Sequence, residues 1–135
     1  MRTNPTIVVG SSERMPDVVD GAARLILESI PYEAMHPCCQ DPVCLSGYQG
    51  ERFVEEFSKF LAERLRILAD DGSYVLNFNP QVIDGFISPA EYRLPAAVTA
   101  AGLALAQTHL WVKPNAMPFA SDKRLKSSSE FFWHF

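Results

Sequence analysis

Leu25-Ile26-Leu27-Glu28-Ser29-Ile30-Pro31-Tyr32 is a short apolar run that stops abruptly in a small polar residue, a proline and an aromatic ring. Such a run reads as a buried parallel strand, which would place its last residues at the carboxyl edge of an open α/β sheet, where ligands bind. On these residues alone a strand-to-loop corner with a packed Tyr is the better reading, because a short motif has a high false-positive rate.

The flanking pattern supports the α/β reading. From Glu51 to Ala69, Phe53, Phe57, Phe60, Leu61, Leu65 and Leu68 share one face, with Glu55, Glu56, Lys59, Glu63, Arg64 and Arg66 elsewhere. That spacing predicts an amphipathic helix. Asp70-Asp71-Gly72 has turn chemistry, and Ser73 to Phe78 reads as the next buried strand. Strand, helix and strand in this order imply a right-handed parallel crossover. Further strands are expected at 6 to 9, 105 to 112 and 131 to 135, with 79 to 89 as loop. A second helix is expected from Leu94-Pro95 to Gly102, with proline in its first turn and glycine just past its end. The chain stops inside an apolar strand with no closing turn, which reads as a cut.

Composition narrows the class. At 135 residues with 47% hydrophobic content the chain makes one modest domain with a core. A net charge of -4 argues against coating nucleic acid by charge alone, although a local basic stretch can still engage phosphates. No apolar run approaches the roughly 20 residues that span a bilayer and no secretory signal is visible, so the chain is read as soluble and cytoplasmic. Cys38, Cys39 and Cys44 crowd into one segment with His36 and lack a second, separated ligand pair, so free thiols in a loop are expected and no metal site.

Three stretches now carry a resemblance. The strand ending in Ser29-Ile30-Pro31-Tyr32, the Asp71-Gly72-Ser73 turn into a strand, and Trp111-Val112-Lys113-Pro114-Asn115-Ala116-Met117-Pro118 with the later Ser128-Ser129-Glu130-Phe131 resemble DNA amino-methyltransferases. The similarity is to the cytosine-N4 type in which the catalytic half precedes the cofactor half. It covers almost the whole chain, in the family's order.

The resemblance implies an open, mostly parallel α/β sheet, the Rossmann-like catalytic half of such an enzyme, occupying 1-135 as one domain. It implies transfer of a methyl group from S-adenosylmethionine to the exocyclic amine of a flipped base in DNA, in a restriction-modification setting. The amine is a poor nucleophile while its lone pair is delocalised into the ring, so acceptors must pull on its hydrogens. Carried over, Ser29 and the Ile30 carbonyl are the acceptors, Pro31 shapes the turn and Tyr32 is the stacking platform. The cationic stretch Lys113, Lys123, Arg124 and Lys126 is expected to contact phosphates, or else to be a solvated loop.

Two departures bear on activity. Ile30 replaces the family's proline, which keeps the carbonyl but gives up the fixed φ that pre-shapes the turn. The family's cofactor half carries a Phe-x-Gly-x-Gly turn, and none of the glycines at 10, 21, 47, 50, 72, 85 and 102 lies two residues from another. The expectation is therefore a base-binding half without its cofactor half: truncated, split across two chains, or a relic that binds DNA or protein without catalysis. A second chain or a missing C-terminal half would complete it, and its exposed sheet edge would favour a homo-oligomer.

Overall fold

A computed structural model of the protein describes residues 6–10, 12–33, 44–79, 81–114 and 129–135. Strand β1 (Ala23–Ser29) is followed by a short 3-10 turn at Leu45–Gly47, helix α1 (Gly50–Ile67) and strand β2 (Leu68–Phe78). A two-stranded ribbon, β3 (Val82–Ile83) and β4 (Phe86–Ile87), leads into helix α2 (Ala90–Ala100). Strands β5 (Gln107–Val112) and β6 (Ser129–His134) close the described chain.

The main sheet has the order β1-β2-β6-β5. β1 and β2 are parallel, with Ser29 beside Asn77, and β6 runs antiparallel to both β2 and β5. β5 consequently points the same way as β1 and β2, and β6 is reversed between them. The open α/β sheet expected from the sequence is present, with its parallel ladder at β1 and β2.

α1 forms because its apolar residues recur on one stripe, and Phe53, Phe57, Phe60, Leu61 and Ile67 are buried. They pack with Tyr74, Leu76 and Phe78 of β2, Leu94 and Val98 of α2, and Trp133 and Phe135 in one core. Phe53 stacks on Phe78 at 5.7 Å between ring centroids. Two charged residues expected on the solvated face, Glu56 and Arg64, are buried as well. Arg64 is held by Glu28 at 2.9 Å and donates to the carbonyls of Ser12 and Phe60, while Tyr74 donates to the same Glu28. Burial then pushes the Tyr74 phenol well above the usual tyrosine range, with the Glu28 charge adding to it.

Several expectations are corrected. Residues 6 to 9 form no strand and are exposed: β-propensity without a partner ladder does not make a strand. β1 is not buried on both faces. It is an edge strand among the described residues, and Leu25 and Leu27 are 61% and 64% exposed on the face away from the helices. Asp70-Asp71-Gly72 is not a turn between elements but part of β2, in the irregular stretch where the register with β1 jumps from Ala23↔Leu68 to Leu25↔Ser73. The expected loop at 79 to 89 contains the β3–β4 ribbon, turned by Asp84 and Gly85, both at positive φ (51° and 88°). An Asp-Gly pair is the favoured two-residue hairpin turn. α2 begins before Pro95 rather than at it, because the burial of Ala90, Leu94 and Val98 outweighs the backbone bond that proline removes. Cys44 is disulfide-bonded, against the expectation of a free thiol, and Ser46 therefore donates to its sulfur at 3.0 Å. Among the described residues no helix is long and apolar enough to cross a membrane, and no group of three metal-ligating side chains occurs.

Candidate functional site

Pairing decides where the first motif ends. In a parallel pair the carboxyl ends of both strands reach the same edge, so Ser29 at the end of β1 stands beside Asn77 near the end of β2. Because β6 is antiparallel, its first residues arrive at that same edge, which brings in Glu130. Lys113 follows the last residue of β5, opposite the start of β6. One sheet edge thus collects Ser29, Asn77, Glu130 and Lys113, and Tyr32 folds over it.

Alternation along β1 fixes what each residue of the tetrapeptide does. Ile26, Glu28 and Ile30 turn toward the helices, and Ile30 is buried in the core. The residue that replaces a proline thus serves as an apolar anchor for the turn. Ser29 turns the other way and is exposed. Its hydroxyl donates to Asn77 Oδ1 at 2.9 Å. The Asn77 amide nitrogen donates to the Phe131 carbonyl at 3.1 Å, which orients the amide so that its oxygen faces Ser29. While its hydrogen is on Asn77, Ser29 Oγ keeps its lone pairs as acceptors.

Tyr32 is half-buried across the edge. Its ring meets Phe78 edge-on, with centroids 5.9 Å apart and planes at 87°. Its hydroxyl lies 3.1 Å from Asn77 Oδ1 and 2.9 Å from Glu130 Oε2. A phenol has one hydrogen, and the carboxylate is the stronger acceptor. Burial pushes the Tyr32 phenol above its ordinary range; the Ser29 hydroxyl pulls the other way, and Glu130 raises it further by its hydrogen bond and its charge.

The next residue locks the turn. Glu33 is fully buried at positive φ (53°), a backbone state that costs a non-glycine residue roughly 1–3 kcal/mol and persists only where the surroundings hold it. Its carboxylate accepts from Gly50 N (2.7 Å), Ser88 Oγ (2.7 Å) and Gln81 N (3.3 Å), while Gln81 Nε2 donates to the Tyr32 carbonyl at 2.9 Å. Gln49, at the N-cap of α1, makes no side-chain cap bond. Glu33 supplies that negative charge from outside the helix, where the macrodipole favours it.

Of the residues expected to act, Ser29, Ile30, Pro31 and Tyr32 stand together at the edge. Lys113 is also there, but its ammonium is turned inward onto Glu130 and over the Trp111 ring at 4.9 Å. Lys123, Arg124 and Lys126 lie outside the described residues, as do 115–118 of the Trp111-to-Pro118 run. Asn77, Glu130 and Glu33 were not singled out from sequence. Asn77 has a visible signal, a lone amide in an apolar strand, and Glu130 sits in the motif that ends in Phe131. Glu33 has none beyond its place after Tyr32.

The comparisons agree with this architecture. No protein among those of curated function matches the sequence. The fold is similar to the cytosine-N4-specific PvuII DNA methyltransferase, with a TM-score of 0.73 at 20% identity over 93% of this chain and 46% of that one. It is also similar to a protein from Thermus thermophilus described as a DNA modification methylase. That structure, complexed with S-adenosyl-L-methionine, gives a TM-score of 0.62 at 18% identity over 86% of this chain and 48% of that one. This chain therefore spans about half the length of the structures it matches. The family model described as DNA methylase matches residues 23–135, from the first residue of β1 to Phe135, and the chain belongs to the DNA methylase family.

Proposed function

We propose that this chain forms the base-binding side of a DNA methyltransferase of the cytosine-N4 type, which presents the exocyclic amine of a flipped base to a methyl donor. The observation that supports it most is Ser29, whose hydroxyl donates to Asn77 and which is exposed at the carboxyl edge, three residues from an aromatic ring. An amine becomes nucleophilic when its hydrogens are drawn by acceptors, and Ser29 Oγ with the Ile30 carbonyl supply two. Tyr32 supplies the stacking surface for a base taken out of the helix. S-adenosylmethionine, the molecule held by the Thermus structure, would supply the methyl group. The glycines of this chain do not form the Gly-x-Gly turn that admits such a donor, so the donor site belongs to the half of the fold that this chain does not cover.

Within the same proposal, Lys123, Arg124 and Lys126 contact DNA phosphates. The slope of log affinity on log salt should then fall by roughly two when Lys123→Ala and Lys126→Ala are combined, about 0.9 per phosphate contact. An unchanged slope removes them from the interface. A second reading, a non-catalytic module that binds DNA or protein, is favoured by Ile30 in the proline position and by the missing glycine pair. Transfer of labelled methyl from S-adenosylmethionine to DNA separates the two, measured with this chain joined to a donor-binding half. Ser29→Ala should lose most of the transfer while DNA affinity changes little. Equal transfer by both forms excludes Ser29 from the chemistry, and no transfer by either favours the binding module.

A further inference from the structure

Glu130 is a carboxylate only 2% exposed at the open end of the sheet. A buried carboxylate has to be paired and hydrogen-bonded to remain charged, and this one has three partners. The Tyr32 hydroxyl donates to Oε2 at 2.9 Å, the Asn77 amide reaches the same oxygen at 3.4 Å, and the Lys113 ammonium takes Oε1. Lys113 is itself steadied over Trp111, the residue that pairs with Glu130 across β5 and β6. The cation expected to reach for phosphate is thus engaged inside the protein.

The consequence falls on Tyr32. Its ring is fastened at its far end by the hydroxyl, which fixes where the ring axis points, and its edge contact with Phe78 limits rotation about that axis. A stacking platform works only in the orientation the base meets, and small misplacements in a reacting site cost heavily in rate. We propose that Glu130, held in place by Lys113, is the positioning residue that sets the place and direction of the Tyr32 ring for the incoming base. This rests on the base-binding reading and adds the device that orients its platform.

The test uses the purified chain and a DNA duplex carrying 2-aminopurine opposite an abasic site. Emission of this base is quenched when it stacks on an aromatic ring. Wild type should bind and quench it. Glu130→Ala should lose most of the quench and about tenfold in affinity, within the range measured for base–aromatic stacking. Glu130→Gln keeps an acceptor for the phenol and should recover part of both, and it serves where Glu130→Ala folds poorly. In a Tyr32→Phe background, Glu130→Ala should add nothing. An equal loss in both backgrounds shows that Glu130 acts elsewhere and overturns the proposal.

NMR of ring-labelled tyrosine reads the tie without DNA: Glu130→Ala and Lys113→Ala should both move the Tyr32 ring resonances. If wild type leaves the probe unquenched while these resonances still move, the base-binding reading falls and the tie stands. If the resonances do not move, the tie itself is refuted.

Discussion

Glu33 and Tyr32 show how one turn is held from two directions. Removing the Glu33 carboxylate leaves three buried or half-buried donors without their acceptor. Hydrogen bonds to charged groups are worth about 1.5–3 kcal/mol each, so Glu33→Ala should destabilise the chain by at least about 2 kcal/mol in urea melts. Tyr32 makes a prediction of opposite kind. A phenol whose folded pKa lies above the ordinary 10.0 binds its proton more tightly when folded. Its contribution is complete below pH 10 and is lost as pH rises through the raised value. Tyr32→Phe should therefore flatten part of the alkaline fall in stability above pH 10, and an identical fall in both forms would contradict the upward shift that burial, with Glu130 beside it, gives the phenol. Ser29 and Tyr32 were legible because a strand that breaks into Ser-Ile-Pro-Tyr is a local pattern. Asn77, Glu130 and Glu33 were not, because each acquires its meaning from partners 45 to 98 residues distant in the chain or from neighbours that only folding brings near.

Among the elements, α1 and the apolar half of β2 were readable from periodicity alone, since their stripe and alternation coincide with what the core buries. The irregular stretch in β2 was not, because Asp-Asp-Gly is turn chemistry by composition and becomes strand only through pairing with β1. That stretch depends on Gly72. A Cβ there would meet Leu68 Cδ1 at 2.7 Å and the carbonyls of Ala23 and Ala69 at 2.9 Å. Gly72→Ala should cost roughly 1–3 kcal/mol by overpacking, whereas Gly47→Ala, with open space around it, should be nearly neutral in the same thermal melts.

The segment before β1 is fastened to α1 through Glu63, which accepts from the Met15 amide at 2.6 Å and from Arg66, whose guanidinium also binds the Val18 carbonyl at 2.9 Å. The Arg66 hydrogen bond first, then the Met15 amide, hold the Glu63 carboxyl at about 2, below its usual 4.5. A depressed folded pKa gives stability that is present above 4.5 and lost as pH falls toward 2. The protection of the Met15 and Val18 amides against hydrogen exchange, taken relative to an unstructured amide at the same pH, should fall across that window, and Glu63→Gln should make that protection insensitive to it.

Among the described residues, both helices lie on one side of the sheet and none lies on the other. Leu25 and Leu27 of β1 and Trp111 of β5 lie on this second face, and β1 presents an unpaired edge among the described strands. An apolar face beside a free strand edge is where another polypeptide binds. The chain spans about half the length of its structural relatives, and we propose that the polypeptide which covers this face corresponds to the part of those relatives outside the match. The isolated chain should self-associate, and Leu25→Lys with Leu27→Lys should leave it monomeric in sedimentation. The fold class and the strand end that carries Ser29 could be read from sequence because the strand and helix periods announce them. The open face could not, since β1 reads as an apolar run whether one side is covered or both.

Reception of an unpaired base at Tyr32 is the step on which the proposed function stands. The direct measurement is the affinity of the purified chain for a short duplex with one cytosine opposite an abasic site, compared with the fully paired duplex by fluorescence anisotropy, in wild type and Tyr32→Ala. An unpaired base costs least to take from the stack. Wild type should prefer the duplex with the free cytosine, and Tyr32→Ala should erase that preference at a cost of about 1–3 kcal/mol, the range for base stacking on an aromatic ring. Equal binding of the two duplexes by wild type, or an unchanged preference in Tyr32→Ala, would contradict it.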